Sequence, residues 1–513
     1  TTTGLRDKAL AAIDATRFVP ASGEKRLRGM IASRPDWLVS RQRAWGVPIT
    51  VFVNKETGEP LRDEAVNARV ADAVAAGGAD AWFSTPAQEF LGDSYDAEDF
   101  DMVEDILDVW FDSGSTHAFV LEQRDDLQWP ASLYLEGSDQ HRGWFHSSLL
   151  ESSGTRGRAP YDAVLTHGFL MDGKGYKMSK SMGNTVEPEK VIKQFGADIL
   201  RLWVVASDYS EDLRIGDEII KGQVDAYRRL RNTFRFMLGN LNDFNDAESI
   251  DISEMPELDR WVLHRLSELD EVVRKGCNDY EFHALYVALH NFCTVELSAF
   301  YFDIRKDVLY CDGSDSVRRR SARTVLNEVF NCMTAWLAPI LSFSMEEVWQ
   351  NRYPEEQGSV HLTLFPDVPG NWRDDALAAK WKIIRDVRRV VTGALEIERR
   401  EKRIGSSLQA LPEVFVTEDQ QTALAGIDLA EIAIVSDVKL TTGEGPSDAF
   451  RLEDVPGVSV VPDTADGEKC QRCWMILPEV SAGSDREHDD LCHRCDDVVT
   501  RNAGAAPLET GAA

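Results

Sequence analysis

Residues 217 to 402 restrict the fold more than any other part of the chain, because their apolar side chains recur three and four positions apart. That spacing puts them on one face of an α-helix, the face that packs into a core. The clearest stripes are Ile220, Val224, Tyr227, Leu230, Phe234, Leu238 and Leu241, then Leu285, Leu289, Phe292, Phe300 and Ile304, then Leu326, Val329, Met333 and Trp336. We expect a helical bundle whose third helix stops before Pro339, with a capping box at residues 344–347 starting the next helix.

The region before the bundle has the pattern of a parallel sheet. Strands are expected at residues 106–111, 132–137 and 162–167, and a helix N-capped by Ser138 and Asp139 at residues 141–152. Strand, helix and strand in about 35 residues is the length of a βαβ unit, whose ligands bind at the carboxyl ends of the strands. One such end carries Glu136, Gly137, Asp139 and Gln140, and Lys177 and Lys180 follow another. We expect both sets to face one crevice.

Residues 176–184 form a short loop, Tyr-Lys-Met-Ser-Lys-Ser-Met-Gly-Asn, that places Lys177 and Lys180 three positions apart between glycines. Glycine on both sides gives a backbone that can approach a ligand closely. Lysine ammonium groups suit phosphate oxygens, so the loop could close on a polyphosphate and neutralise charge that develops there. A solvated basic turn would have the same composition, and the two lysines alone leave both interpretations open.

Four cysteines have the spacing of a metal site, since Cys470 and Cys473 form one pair, Cys492 and Cys495 another, and 18 residues separate the pairs. Two such pairs present four thiolates to one tetrahedral Zn²⁺. A redox dithiol is the alternative, but the second matching pair argues against it. With sulfur at all four positions the zinc is expected to be structural, and His493 is not expected to be a ligand. The other cysteines, expected in helical cores, are Cys277, Cys293, Cys311 and Cys332.

The overall charge does not settle whether the partner is a nucleic acid. A net charge of −31 opposes binding to phosphates, but whole-chain charge describes solubility more than a local surface. Acidic residues cluster at 89–108, and basic residues form runs at 228–235, 318–323 and 382–403. Each basic run is either a solvated helix face or a local binding patch.

The length of 513 residues is too great for one core, so roughly three or four domains are expected. No apolar run reaches the roughly 18 residues that a membrane span needs, and there is no signal or transit peptide pattern. The cysteine usage favours a reducing cytoplasm. Because the chain begins Thr-Thr-Thr without a methionine, we expect a fragment of a longer protein.

Several strings together resemble isoleucyl-tRNA synthetases of the bacterial type, which are class I aminoacyl-tRNA synthetases. The five residues from Lys177 to Ser181 match the Lys-Met-Ser-Lys-Ser signature of that class. The other matching strings are residues 108–115, residues 134–145, His167-Gly168-Phe169, residues 196–203, residues 337–340 and the terminal four cysteines. The resemblance covers nearly the whole chain.

The resemblance implies an α/β plus α protein in seven consecutive segments. Residues 1–50 would be the end of an editing insertion and the return into the catalytic domain. Residues 51–104 would be an acidic connective insert, with a strand near 51–53 and a helix at 62–76. Residues 105–175 would be the second half of a Rossmann-like catalytic domain. Residues 176–216 would be the lysine loop and a stem-contact region, 217–405 a helical-bundle anticodon-binding domain, 406–460 a mixed α/β C-terminal junction, and 461–513 a zinc-binding domain and tail.

The resemblance also implies the substrates, namely isoleucine, ATP with Mg²⁺, and tRNA(Ile), for a monomeric enzyme. Lys177, Lys180 and Ser179 would bind ATP, and the two lysines would stabilise the transition state as the isoleucine carboxylate attacks the α-phosphorus. Glu136 would bind the amino group of isoleucine or of the adenylate. The other adenylate-binding residues would be Gly137, Asp139 and Gln140, with Asp139 and Gln140 near the ribose, and Trp110 and Trp144 as walls of the side-chain pocket.

One departure from the family pattern limits the expected activity. The His-x-Gly-His motif of the first half of the nucleotide fold does not occur in this sequence, and most of the editing domain is missing. We therefore expect no adenylate synthesis by this chain alone. A non-catalytic tRNA-binding or regulatory fragment is the alternative function, and a different synthetase of the same class is a third. The intact lysine loop and Glu136 favour the enzyme.

Overall fold

The structure, a computed structural model, describes residues 3–354, 358–480 and 487–503. Its contacts divide the chain into two compact units. The first holds the residues up to Met178 together with Tyr209–Arg214, and the second holds Ser179–Asp208 and the residues from Ile215 onwards. In the described part, no helix combines the length and apolar character needed to cross a membrane. The expected tail lies, from residue 504 on, outside the described residues.

The first unit is mixed α/β. Its helices are α1 (Leu5–Asp14), α2 (Ser22–Ala32), α3 (Glu64–Gly77), α4 (Ala81–Ser84), α5 (Ala87–Leu91), α6 (Val109–Gly114) and α7 (Trp144–Thr155). Its strands are β1 (Arg17–Val19), β2 (Ser40–Arg41), β3 (Phe52–Asn54), β4 (Phe100–Met102), β5 (Ile106–Leu107), β6 (Tyr134–Gly137), β7 (Ala163–His167), β8 (Leu170–Met171) and β9 (Leu213–Arg214).

A parallel sheet in the order β1-β7-β6 forms the centre of this unit. The strands predicted at 132–137 and 162–167 are confirmed as β6 and β7, with Gly137 paired to His167 at their carboxyl ends. The predicted helix is confirmed as α7, but the capping prediction is wrong. Ser138–His141 forms a separate 3₁₀ turn, and α7 follows Gly143, which has no side-chain cap.

The strand predicted at 106–111 is wrong beyond its first two residues. Only β5 is extended, paired antiparallel with β2. The carboxylate of Asp108 accepts a hydrogen bond from the Trp110 backbone N–H at 3.1 Å and so caps α6. This cap outweighs the strand preference of the Val-Trp-Phe run that follows it.

The acidic segment at 51–104 has its own hydrophobic cluster. Its strand and helix are confirmed as β3, which pairs antiparallel with β4, and α3. Asp63 caps α3 by accepting hydrogen bonds from the N–H groups of Ala65 and Val66. The cluster consists of Phe52, Val66, Val70, Trp82, Phe90 and Leu91.

The second unit is mainly helical. Its helices are α8 (Pro188–Phe195), α9 (Ala197–Val205), α10 (Asp217–Asn240), α11 (Glu257–Asp279), α12 (Phe282–Asn291), α13 (Phe302–Cys311), α14 (Val317–Leu337), α15 (Ser342–Arg352), α16 (Asp375–Arg400), α17 (Glu418–Leu424), α18 (Leu429–Ala433) and α19 (His493–Ala503). A π-helical stretch, Phe292–Tyr301, joins α12 to α13. Its strands are β10 (Glu413–Val416), β11 (Lys439–Thr442), β12 (Ser459–Val461), β13 (Glu468–Lys469) and β14 (Ile476–Leu477).

The predicted bundle is confirmed. All residues of the second and third stripes are buried, as are Ile220, Leu230, Phe234 and Leu241 of the first. Helix α14 ends at Leu337, before Pro339 as predicted. The predicted capping box is wrong, because α15 begins at Ser342.

The last part of the second unit contains two small sheets. Strands β10 and β11 are parallel, β10 and β12 are antiparallel, and α17 and α18 lie between β10 and β11 in the sequence. The mixed α/β character expected for this segment is therefore confirmed. Strands β13 and β14 form an antiparallel hairpin around the first cysteine pair. The seven-segment division of the chain remains a prediction.

Candidate active site and metal centre

Glu136 lies at the carboxyl end of β6 with an exposed side chain. Its Oε1 accepts a hydrogen bond from the Gly137 backbone N–H at 3.0 Å. On the neighbouring strand, His167 Nε2 is 3.9 Å from the same oxygen. An exposed carboxylate held by one backbone donor keeps most of its acceptor capacity for a cationic ligand.

The 3₁₀ turn after β6 places Asp139 and Gln140 beside Glu136. A Cβ atom at Gly137 would lie 2.6 Å from Asp139 Oδ1, so a larger residue at this position would displace the Asp139 carboxylate. Gln140 Nε2 donates to Asp139 Oδ2 at 3.2 Å, and Gln140 Oε1 accepts from the Trp144 backbone N–H at 2.9 Å. Two side chains therefore fix the shape of the turn, while the Asp139 carboxylate stays exposed.

The two predicted pocket tryptophans come together at Gly143. Trp144 stacks on Tyr134 with ring centroids 4.0 Å apart, and its Nε1–H donates to the Ser113 carbonyl at 3.0 Å. Trp110 is 41% exposed, and a Cβ at Gly143 would be 2.8 Å from its Cη2 atom. The structure thus brings Trp110, Trp144 and Gln140 into one local group on the first unit, with an aromatic face open to a ligand.

Lys177 belongs to the first unit and follows a tight turn. Gly175 has φ +88°, its N–H donates to the Asp172 carbonyl at 2.9 Å, and Met171 forms a bridge to Lys177. The Lys177 ammonium lies 5.1 Å from the centre of the Phe169 ring. A cation over an aromatic face is stabilised there by about 0.5–1 kcal/mol at an exposed site.

Ser179 and Lys180 belong to the second unit. The Ser179 N–H donates to Asn184 Oδ1 at 3.0 Å, and its Oγ accepts from the Met182 N–H at 3.3 Å. Gly183 has φ +64° and closes this turn, and Lys180 is exposed. Because the division between the two units falls within the loop, the common crevice expected from the sequence stays a prediction.

A group of buried and half-buried titratable side chains in the first unit was not predicted from the sequence. Burial first, and the nearby Asp112 carboxylate second, raise the pKa of Glu151 to about 8. Burial lowers the pKa of His146 to about 4 and also lowers the pKa of His117. Neither carboxylate oxygen of Glu151 accepts a hydrogen bond within the described ranges. The sequence carries no signal for these shifts, because burial depends on how α7 packs.

Glu151 and His117 both line a cavity of about 640 Å³ in the first unit. Its wall also contains three arginines, the carboxyl group of Asp36 and the aromatic ring of Trp37; the arginines are Arg6, Arg34 and Arg156. Arg156 is already engaged, because its guanidinium forms two hydrogen bonds to the Glu122 carboxylate at 3.0 and 2.8 Å. The cavity therefore combines two carboxyl groups, one of them with a raised pKa, with three arginines, of which Arg156 is paired with Glu122.

A second residue that was not predicted is Asp198 in α9. It connects this helix to α15 of the bundle, within the second unit. Its buried carboxylate accepts hydrogen bonds from Ser344 N–H at 2.8 Å, from Ser344 Oγ–H at 2.6 Å and from Phe343 N–H at 3.3 Å. Arg201, one turn later, donates to the carbonyls of Pro339 and Ile340 at 2.6 and 3.0 Å. The available signal was an aspartate and an arginine, three positions apart, in a helix whose other residues are apolar.

The four cysteines form a closed, buried group whose sulfurs all lie within 4.8 Å of one another. Cys473 and Cys492 are 3.8 Å apart, which is the separation of about 3.8 Å expected for two sulfurs each about 2.3 Å from a tetrahedral Zn²⁺. The Cys492 N–H donates to Cys470 Sγ at 3.3 Å, as backbone amides do toward metal-bound thiolates. His493 is exposed and lies outside the group. The donor set therefore fits a structural zinc.

A second cluster, His264, Glu268 and Asp375, does not have the properties of a metal site. His264 Nδ1 accepts a hydrogen bond from the Asp374 backbone N–H at 2.9 Å. The neutral ring therefore carries its proton on Nε2, 3.4 Å from Glu268, and has no lone pair for a cation there. Arg373 lies against both carboxylates of the cluster.

Three family models match the chain. They are tRNA synthetases class I (I, L, M and V) at residues 1–216, the anticodon-binding domain of tRNA ligase at residues 259–414, and the zinc finger found in FPG and IleRS at residues 467–498. Isoleucine–tRNA ligase of Mesorhizobium japonicum is 57% identical over 497 residues, covering 96% of this chain and 49% of the relative. The relative from Brucella abortus (strain 9-941) is 58% identical over 494 residues, covering 96% and 50%.

The chain belongs to the isoleucine–tRNA ligase family. It spans about half the length of the curated relatives it matches. Among solved structures, the agnB2 LeuRS of Agrobacterium radiobacter K84, in complex with tRNA and LeuAMS, superposes with a TM-score of 0.50 at 18% identity, covering 66% of this chain and 43% of that one. The expected class I synthetase fold, with anticodon-binding and zinc-binding parts, is confirmed. The zinc finger match and the four buried cysteines together confirm the predicted structural zinc.

Proposed function

We propose that this chain carries the downstream part of an isoleucine–tRNA ligase, which activates isoleucine with ATP and transfers it to tRNA(Ile) in translation. The 57% identity to relatives of that name, over 96% of the chain, carries the proposal. The end of β6 supports it, because an exposed carboxylate at Glu136 suits an ammonium group. We infer a monomer that works in the cytoplasm.

In the activation step, the carboxylate oxygen of isoleucine attacks the α-phosphorus of ATP. The bond from that phosphorus to the bridging oxygen breaks, and pyrophosphate leaves with the electron pair. We assign Lys177, Lys180 and Ser179 to the phosphates of ATP, which enters with Mg²⁺ as the substrate. The ammonium groups would offset the negative charge that develops on the leaving pyrophosphate.

The amino-acid side of the adenylate would lie at the end of β6. Glu136 would pair with the ammonium group, and the aromatic faces would exclude water around the branched alkyl side chain. The remaining assigned residues are Gly137, Asp139 and Gln140, of which Asp139 and Gln140 would face the ribose, and Trp110 and Trp144, which would line the side-chain pocket.

In the transfer step, a hydroxyl of the terminal ribose of tRNA(Ile) attacks the carbonyl carbon of the adenylate, and AMP leaves. We assign the helical bundle to tRNA recognition. Exposed arginines on α10, namely Arg228, Arg231 and Arg235, offer guanidinium groups to RNA phosphates. Such contacts would make binding weaken steeply with salt.

Isoleucine-dependent exchange of pyrophosphate into ATP tests this function. We expect no exchange by the chain alone, and exchange when the chain is joined to an upstream half that contains His-x-Gly-His. Isoleucine should support it and leucine should not. Robust exchange by the chain alone, or equal exchange with leucine, would contradict the assignment.

A non-catalytic tRNA-binding fragment is the second candidate, favoured by the match of residues 259–414 to the anticodon-binding domain of tRNA ligase. Fluorescence anisotropy with labelled tRNA(Ile) distinguishes the two functions when combined with the exchange assay. Binding without exchange in the joined protein would support the fragment, whereas exchange in the joined protein supports the enzyme.

A further inference from the structure

Each cysteine pair carries an arginine directly before its second cysteine, Arg472 before Cys473 and Arg494 before Cys495. Neither arginine is needed to hold a metal. Both side chains are half-buried, and both reach the same place, the C-terminal end of α13 in the helical bundle. All of these residues belong to the second unit.

Arg472 caps the end of α13. Its Nη1 donates to the Cys311 carbonyl at 2.5 Å and its Nη2 to the Tyr310 carbonyl at 3.0 Å. The last carbonyls of a helix have no partner within the helix and carry partial negative charge, so a guanidinium satisfies them well. In return, Cys311 Sγ donates to the Arg472 carbonyl at 3.8 Å.

Arg494 forms ion pairs with carboxylates at the same end of α13. Its Nη1 and Nη2 form a bidentate pair with the Asp307 carboxylate at 2.5 and 2.7 Å. The same Nη1 is 3.3 Å from Asp312 Oδ1, whose side chain is only 7% exposed. Bidentate arginine–carboxylate pairs are strong and fix both partners in orientation.

We propose that metal binding and the folding of the C-terminal end of α13 are one coupled equilibrium. Metal-bound thiolates fix the turn that carries Arg472 and the first turn of α19, which carries Arg494, and the arginines then hold the end of α13. Without metal the turns lose their fixed shape, since sites of this kind rarely persist unliganded. By thermodynamic reciprocity, the factor by which bound zinc favours the arginine contacts is also the factor by which those contacts raise the zinc affinity. This coupling goes beyond the proposed aminoacylation and does not depend on it.

The equilibrium affinity of the purified full chain for zinc, measured by competition with a chelator, reports the coupling from the metal side. Arg494→Gln keeps the length and polarity of the side chain but loses the bidentate charge pair. We expect the zinc affinity to fall at least about tenfold relative to the wild type, as is typical when outer partners of metal ligands are removed. Arg501→Gln, at an exposed arginine of α19 whose partners are Asp497 and Asp315, is the matched control and should leave the zinc affinity unchanged. Wild-type zinc affinity in both Arg494→Gln and Arg472→Gln would overturn the proposal.

Hydrogen exchange of the wild-type chain measures the coupling from the helix side, without any variant that might fail to fold. Removing zinc should reduce amide protection in α13 at least about tenfold, while α10 keeps its protection. Equal protection of α13 with and without zinc would overturn the proposal, as would an equal loss in α10, because general unfolding would then be the cause.

Discussion

The end of β6 and the four-cysteine site hold their functional side chains in opposite ways. Glu136 and Asp139 are exposed, and their hydrogen bonds come mainly from their own turn. The cysteines are all buried and face one another. The groups that we propose to bind a substrate stay available to solvent, whereas the groups that fit a structural metal form part of the core. The first site should therefore contribute to function with little effect on stability, and the second should contribute mainly to folding.

Removing one cysteine should have the largest effect. Cys492→Ser leaves three thiolates, so we expect bound zinc to fall from about one per chain to a small fraction, with residues 467–480 and 487–498 losing their fold. Binding of a structural zinc supplies on the order of 10 kcal/mol to such modules, more than other contacts there could replace. Metal analysis after gel filtration measures this. Cys277→Ser, at a half-buried cysteine outside the cluster, should retain zinc. Full zinc content in Cys492→Ser would contradict the view that the four-cysteine site, unlike the end of β6, contributes mainly to folding.

A buried ionic network in the bundle tests whether polar groups that are buried without a metal also contribute mainly to folding. Asp259 is fully buried and accepts hydrogen bonds from Tyr301 at 2.7 Å, Arg305 at 2.9 Å and Ser321 at 2.6 Å. Asp259→Asn should lower the free energy of unfolding by about 1.5–3 kcal/mol, because buried Arg305 loses one of its two carboxylate partners and keeps only Glu431, at 2.6 Å.

Urea unfolding of the bundle measures that loss. The control is Asp225→Asn, which breaks an exposed pair with Arg228 and should change stability by no more than about 0.5 kcal/mol. Equal effects of the two variants would show that burial does not separate structural from surface charges in this chain.

Glu151 is expected to make the stability of the first unit depend on pH. The direction of this dependence is opposite to that of a carboxylate in an ion pair. Its pKa rises from 4.5 to about 8 in the folded state. Stability from this group is therefore full below pH 4.5 and is lost as the pH rises toward 8. Glu151→Gln should remove the cost of charging and raise the unfolding free energy at pH 8 by about 1 kcal/mol.

Glu122 provides the matched control for Glu151. Its bonds to Arg156 lower the pKa of its carboxyl group, so its contribution is present near neutral pH and is lost as the pH falls through that lowered value. Glu122→Gln should cost less than about 1 kcal/mol at pH 8, since the pair is partly exposed. Thermal unfolding at pH 5 and pH 8 compares the variants, and a loss of stability in Glu151→Gln at pH 8 would contradict this account.

The sequence predicted those features that depend on local spacing. The helical stripes and the two cysteine pairs are set within a few residues, and the structure confirms them. The failures depend on contacts between distant residues. Ser344 bonds Asp198, 146 positions away, instead of starting a helix, and the buried surroundings of Glu151 arise only when α7 packs.

Arg472 and Arg494 show the same limit at the metal site. Cysteine spacing identifies the donors, but the helix that the arginines hold lies more than 160 positions earlier for both. At the end of β6, the strand and its polar residues could be predicted from the alternation of strand and helix. The 3₁₀ turn that orients Asp139 could not, because it depends on Gln140 bonding the first N–H of α7.

The most direct test measures exchange and stability together for Glu136→Gln, in the chain joined to an upstream half that contains His-x-Gly-His. We predict that isoleucine-dependent exchange falls at least about 100-fold, because the substrate ammonium group loses its charged partner. The urea midpoint should stay unchanged, since the Glu136 side chain is exposed. Exchange within about threefold of wild type, or a loss of stability that accounts for the lost exchange, would contradict the account.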